Sequence, residues 1–331
     1  MILVTGSTGH IGNVLVRRLV QRGEHVRALL LRGESPAPLA SLPVEVVEGD
    51  ILDLPSLSSA LRGVRGVFHL AGLISIMPGS NPQIRKVNVE GTRNVLQAAQ
   101  TAGVEKFVYT SSIHALQRVR AGLIDERLPF DPSSPYGAYD QSKAEATIEV
   151  RDAAREGFEV VIACPTGVIG PYDFGGSIMG RVIRAAAWRQ PALYVDGAYD
   201  FVDVRDVASG LIAAFDRGRA GESYILSGHR ISVRFLLETI REITGRQFFQ
   251  MKIPFDLARL AALFTPFYYN LFHATPRFTS YSLAVLRSNA NISHAKATRE
   301  LGYLPRSIYQ TIADTVHWFL NAAPAPMASA R

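Results

Sequence analysis

The chain of 331 residues carries 35 basic and 29 acidic side chains, a net charge of +6, and enough hydrophobic content (47%) to build a substantial globular core. One cysteine, Cys164, excludes an intramolecular disulfide framework and favours a reducing, cytoplasmic compartment. The basic residues are scattered and only five are lysine, so no basic run or aromatic-interleaved patch points to nucleic acid.

Met1 runs straight into the apolar Ile2–Val4, with no basic leader or cleavage site, which predicts folded structure from the outset. Thr5-Gly6-Ser7-Thr8-Gly9-His10-Ile11-Gly12 follows, then an amphipathic helix over 11–22, the setting that a phosphate-binding turn requires. Gly6 is expected to allow the tight turn, Gly9 to let backbone amides reach a pyrophosphate, and Gly12 to let helix and strand pack closely. Thr8, His10 and Ile11 complete the expected phosphate-binding set. The second strand, Val26–Leu31, ends on Arg32 with no acid there. A guanidinium suits a 2′-phosphate, so NADP is favoured and NAD is the alternative.

Val44–Val47 reads as a third buried strand, and Asp50 and Ile51 after it are candidates for the adenine end of the cofactor. A helix over 55–62, a strand over Val67–Leu70, the turn Leu70-Ala71-Gly72 and a helix over 84–102 come next. The fifth strand, Phe107–Tyr109, leads to Ser111-Ser112, and a helix over 136–156 carries Tyr139 and Lys143. Four residues apart on a helix, these two share one face with about 5–6 Å between Cβ atoms. An ammonium beside a phenol favours the phenolate, so Tyr139 is expected to exchange protons near neutral pH.

With Val160–Ala163 as a sixth strand, the alternation predicts an α/β fold, a Rossmann-like doubly wound parallel sheet. After Cys164 the rhythm loosens through Pro165, Gly167, Gly170, Pro171, Gly175 and Gly176. Phe201–Val204 is again strand-like and leads into a helix near 206–217, so the chain is expected to return to the first domain. The predicted division is a dinucleotide-binding domain of 1–163 and 198–228, with an interleaved, smaller C-terminal substrate-binding cap of 164–197 and 229–321. The Ala-Pro-rich residues 322–331 read as a frayed tail. The apolar stretch 254–272 is interrupted by Asp256, Arg259 and Pro266 and does not read as a membrane span; cap core and shallow interfacial contact are the two readings of it.

Taken in order, the glycine loop, Ser111-Ser112 and the Tyr139/Lys143 pair resemble the extended short-chain dehydrogenase/reductase family. Further resemblances are His69-Leu70-Ala71-Gly72, Val87-Asn88-Val89-Glu90-Gly91-Thr92, Pro165-Thr166-Gly167-Val168-Ile169-Gly170-Pro171, Phe201 to Ala208 and Leu301-Gly302-Tyr303-Leu304-Pro305, so the match spans most of the chain. The resemblance implies Tyr139 as the acid/base, Lys143 holding the nicotinamide ribose and lowering the tyrosine pKa, and Ser112 bonding the reacting oxygen. It also implies Leu70, Ala71, Gly72, Pro165, Gly167 and Val168 as cofactor contacts. Asn88 stands where the family keeps an asparagine near the proton path, with a structural hydrogen bond as the competing role. Tyr136 and His114 are candidates for the substrate side.

Two departures weaken a sugar-nucleotide reading: Ile113-His114-Ala115-Leu116 lacks the acid pair of the dehydratases, and Cys164 replaces an arginine before Pro165. The chain looks more like dihydroflavonol reductases and 3β-hydroxysteroid dehydrogenases, which implies alcohol/ketone interconversion on a moderately apolar substrate. Phe255, Leu257, Leu260, Phe264, Phe267, Tyr268, Tyr269 and Phe272 would either line that pocket or fill the cap core. A nucleotide-sugar epimerase/dehydratase and a non-catalytic redox sensor are the competing functions. The family habit also implies a homodimer through helices 84–102 and 136–156.

Overall fold

The computed structural model describes residues 1–77, 79, 81–188, 190–262 and 279–321. Short β-branched runs bounded by glycine turns form a seven-stranded sheet in which every pairing is parallel. Its strands are β1 (Ile2–Thr5), β2 (Val26–Leu30), β3 (Glu45–Glu48), β4 (Gly66–His69), β5 (Lys106–Thr110), β6 (Val160–Pro165) and β10 (Ser223–Leu226), in the spatial order β10-β6-β5-β4-β1-β2-β3. The order reverses beside β1, so a crevice opens beyond the carboxyl ends of β1 and β4. The predicted burial of the third strand needs correcting. As the edge strand, β3 leaves Glu45, Val46 and Glu48 exposed.

Helices cover both faces. One face packs β1, β2 and β4 side chains against Val14, Leu15 and Leu19 of α1 (His10–Gln21) and Val207 and Leu211 of α7 (Val204–Arg217). The other packs Val67, Phe107 and Ile162 against Leu57 of α2 (Leu54–Ala60), Val95 of α4 (Gly91–Thr101), and Ala146 and Val150 of α5 (Ala138–Arg155). The helix predicted over 84–102 is assembled from α3 (Pro82–Arg85), a π turn (Lys86–Glu90) and α4.

The remaining strands lie outside the large sheet. β7 (Gly167–Ile169) and β11 (His229–Ser232) flank β9 (Ala198–Asp203), and β8 (Ala192–Val195) pairs with β12 (Gln250–Ile253). The strand predicted at Phe201–Val204 is thus the end of β9 in the three-stranded sheet. The chain rejoins the large sheet only through α7, started by the Asp203 side chain accepting from Arg205 N at 2.8 Å, and through β10. The other helices are α6 (Ile178–Ala187), α8 (Val233–Thr244), α9 (described over 255–262), α10 (Ser280–Leu286), α11 (Ala295–Leu301) and α12 (Ile308–Asn321). No helix among the described residues is long and apolar enough to cross a membrane.

Of the aromatic stripe expected in the cap, Phe264, Phe267, Tyr268, Tyr269 and Phe272 lie outside the described residues. Leu257 and Leu260 are exposed at 57% and 55%, so these two do not fill the cap core. Phe255 is half-buried, with the Arg287 guanidinium 3.4 Å from its ring centroid.

Candidate active site

The turn after β1 is a cradle that only glycines permit. Gly6 has φ 65°, and a Cβ there would sit 2.8 Å from the Ala71 nitrogen, while a Cβ on Gly12 would meet the Gly6 carbonyl oxygen at 2.0 Å. The close approach that Gly12 makes is therefore to the loop itself rather than to a strand. Gly9 precedes α1 with an extended backbone, so the first-turn amides of His10, Ile11 and Gly12 have no partner within the helix. Asn13 fixes the turn, its side-chain amide donating to Gly9 O at 2.8 Å and to Tyr172 O at 3.1 Å. The His10 ring reaches Pro171 O at 3.0 Å, joining the cradle to the segment after β6. This empty-handed helix start, fronted by a turn that a side chain would fill, fits the pyrophosphate of a dinucleotide.

At the end of β2, Arg32 is exposed. The expectation that no acid stands there is corrected: the chain turns at Gly33 (φ 80°) and brings Glu34 back, its carboxylate accepting from Leu31 N at 2.9 Å and from the Thr8 hydroxyl. Asp50 caps a local turn by accepting from Leu52 N at 2.9 Å. Ile51 is buried against Gly91, and its carbonyl accepts from Asn94 at 3.0 Å. On the far side of the crevice Leu70 and Ala71 donate their amides to Thr5 Oγ1 at 3.2 and 3.1 Å, and Gly72 faces Asn88 Oδ1.

Asn88 is fully hydrogen-bonded. Its Oδ1 accepts from Leu73 N at 2.7 Å, and its amide donates to Leu73 O and to Ser142 Oγ, both at 2.9 Å. It straps the turn after β4 to α5, and the π turn aims it there.

Ser112 and Tyr139 come together as the predicted pair. The Ser112 side chain is near enough to the Tyr139 phenol to lower its pKa, and Ser112 Oγ accepts from His114 N at 3.2 Å. Ser111 turns the other way, to Thr147 at 2.6 Å, while its amide continues the sheet to Ala163 O. Burial pushes the Tyr139 phenol up to about 12; Ser112 lowers it and the Asp140 carboxylate next door raises it further. The expected easing by Lys143 is not met in this arrangement. The Lys143 ammonium instead donates to Tyr109 OH at 2.9 Å and Thr110 O at 2.7 Å, and burial pushes the amine down to about 7.

Behind that lysine runs a polar chain that sequence reasoning missed. His69 is wholly buried, its two ring nitrogens within 2.7 Å of Thr5 Oγ1 and 3.0 Å of Thr92 Oγ1, and Thr92 donates to Asn88 O at 2.6 Å. Burial drives the imidazole down to about 3, so it stays neutral. The glycine loop, the turn after β4 and the helix bearing Asn88 are thereby held in one hydrogen-bonded unit.

His114 and Tyr136 sit in a cluster around Arg118. The guanidinium lies 4.0 Å from the Tyr136 ring centroid, bonds His114 Nδ1 at 3.0 Å and donates to Asp140 Oδ2 at 2.7 Å. Tyr281 donates to the other Asp140 oxygen at 2.7 Å, and Tyr199 OH lies 3.0 Å from His114 Nε2. Arg118, Asp140, Tyr199 and Tyr281 carry no motif, and their contacts join positions up to 163 apart in sequence. Pro165 ends β6, and Gly167 and Val168 open β7, where a Cβ on Gly167 would lie 3.0 Å from Tyr199 Cε1.

A glycine cradle at a sheet's switch point, with a Ser-Tyr pair and a buried lysine at the ends of neighbouring elements, defines a dinucleotide-dependent oxidoreductase. The chain belongs to the NAD dependent epimerase/dehydratase family, whose model matches residues 2–227, and is an enzyme of the extended short-chain dehydrogenase/reductase type. It is 38% identical to sterol demethylase protein B of Methylococcus capsulatus over 96% of this chain and 97% of that protein. A putative dihydroflavonol 4-reductase of Synechocystis is 35% identical over 96% and 94% of the two chains. Among solved structures, that of gox2253 superposes with a TM-score of 0.83 at 34% identity, covering 97% of this chain and 98% of that one.

Proposed function

We propose that the protein interconverts a secondary alcohol and a ketone on a moderately apolar small molecule, with NADP(H) as the hydride carrier. The observation that carries this reading is the Ser112–Tyr139 hydroxyl pair beside the glycine cradle. A carbonyl oxygen placed between the two hydroxyls would accept both hydrogen bonds, and Tyr139 would deliver the proton as hydride arrives from nicotinamide. Lys143 would hold the nicotinamide ribose, with Asn88 keeping the turn after β4 and α5 in register. The cradle residues Gly6, Thr8, Gly9, His10, Ile11 and Gly12 would hold the pyrophosphate. The names of the two relatives, a sterol demethylase protein and a putative dihydroflavonol reductase, support an apolar ring substrate.

NADP rests on Arg32, the exposed guanidinium at the end of β2, with both Glu34 oxygens engaged by Leu31 N and Thr8. Glu34 is also the observation that favours NAD, since a carboxylate suits ribose hydroxyls and repels a 2′-phosphate. A panel of ketosteroids, dihydroflavonols, 3-ketoacyl compounds and nucleotide sugars, assayed with NADPH and NADH, tests the reading. Net cofactor oxidation on a ketone is expected, whereas sugar isomerisation without net turnover of cofactor would establish the epimerase instead. Pairing of the helical stretch 84–102, which includes α4, and of α5 across a twofold axis in a cytoplasmic homodimer is the proposed assembly. It would place the Arg85–Glu145 and Arg93–Glu149 ion pairs at the seam, and light scattering reads the mass directly.

A further inference from the structure

The cluster around Arg118 has a direction. A guanidinium can only donate, so its 3.0 Å contact makes His114 Nδ1 the acceptor. The imidazole is neutral, burial having pushed it down to about 3, and its one proton therefore sits on Nε2. That proton is given to Tyr199 OH at 3.0 Å, which leaves the Tyr199 hydroxyl hydrogen to point onward, with no further acceptor among the described residues. The head of the chain is ionically anchored: Arg118 donates to Asp140 Oδ2 at 2.7 Å, and Tyr281 holds Oδ1. The tail is rigid, because the His114 and Tyr199 rings are parallel to within 5° and 5.9 Å apart, with Phe201 edge-on to Tyr199. The His114 ring also lies 6.3 Å from that of Tyr139, and Tyr199 touches Gly167 on β7.

We propose that Tyr199 is a specificity-determining donor, placed to hydrogen-bond a second oxygen that the substrate carries close to its reacting carbon. This rests on the ketone-reductase reading and narrows it. The preferred substrates are ketones with a neighbouring oxygen acceptor, of the 3-oxo ester or 2-hydroxyketone class, over isolated ketones. Its physical basis is that a fixed buried donor gains a partner with the first class and keeps none with the second.

Tyr199→Phe removes the hydroxyl and keeps the ring that packs on His114 and Phe201. Two probes of similar size are compared with NADPH, ethyl 3-oxobutanoate and 2-heptanone, the second lacking the extra oxygens. Wild type should favour the oxo ester by about tenfold or more in kcat/KM, the scale of one well-placed hydrogen bond. In Tyr199→Phe that preference should fall to within about threefold of unity, mostly through KM for the oxo ester. An undiminished preference, or an equal loss on both probes, overturns the assignment of Tyr199 while leaving the reductase reading intact. Failure of wild type to turn over any ketone, in this pair or in the broader panel, overturns the reductase reading and this inference with it.

Discussion

Lys143→Met swaps a buried amine for an apolar side chain of similar length, and the structure gives its effect a pH signature. The amine falls from 10.5 to about 7 because burial penalises its charge, and it is only 7% exposed. At roughly 1.4 kcal/mol per pKa unit, keeping it protonated in the fold costs on the order of 4–5 kcal/mol near pH 6. At pH 9 the folded amine is neutral while the unfolded one is still charged, and the cost drops to about 2 kcal/mol. The sign follows: the unfolded chain binds the extra proton between pH 7 and 10.5, so this group lets stability rise with pH across that window. Against this stands a pH-independent loss of about 1–2 kcal/mol per partner for the Tyr109 hydroxyl and the Thr110 carbonyl, left without their donor. The variant should therefore be more stable than wild type at pH 6, by about 2 kcal/mol more than at pH 9, and should be nearly inactive. Urea midpoints measured from pH 6 to 9 on both proteins read the difference directly. A gap between the two curves that stays constant with pH would refute the claim that the lysine charge is what burial penalises.

Tyr139→Phe should lose at least about 10²-fold in turnover while its cofactor affinity, followed by fluorescence titration, stays within a few-fold. Gly12→Ala should abolish dinucleotide binding and lower the melting temperature, since its Cβ would sit 2.0 Å from the Gly6 carbonyl oxygen; normal binding by calorimetry would contradict the cradle. Glu34→Gln should tighten NADP+ binding several-fold and Arg32→Ala weaken it about tenfold, with NAD+ moving little in the second variant. His69 is neutral down to about pH 3 in the fold but titrates at 6.5 when unfolded, so it makes stability fall as pH drops from 6.5 towards 3. His69→Asn should flatten that decline in urea titrations, at a pH-independent cost from the lost bonds to Thr5 and Thr92.

The sheet was legible because each buried strand is a short apolar run between turn residues, and the glycine loop because two of its positions admit no side chain. Ser112 and Tyr139 were legible because a strand end and a helix start place them reproducibly. The partner of Lys143 was not, since spacing along α5 puts the lysine on the face of Tyr139 but says nothing about the Tyr109 hydroxyl waiting on β5. Glu34 was missed for a similar reason: it regains the end of β2 through a left-handed turn at Gly33, so its position along the chain does not reveal its place in space. Asp140 stands between Tyr139 and Lys143 with no sequence signal of its own. Its role emerged when Arg118, 22 residues upstream, and Tyr281, 141 residues downstream, were seen to converge on it.

The π turn at Lys86–Glu90 makes chain length a constraint of its own. A π turn holds one residue more than an α turn, so removing one residue here would restore ordinary pitch, leave the flanking helices in phase and re-aim only the side chains within the turn. Asn88 would then swing off Leu73 and Ser142, and the connection between the crevice turn and the tyrosine-bearing helix would be cut. Substitutions in this stretch are graded in severity; a single deletion is all or nothing, which makes the surplus residue as much a part of the active site as the side chain it aims.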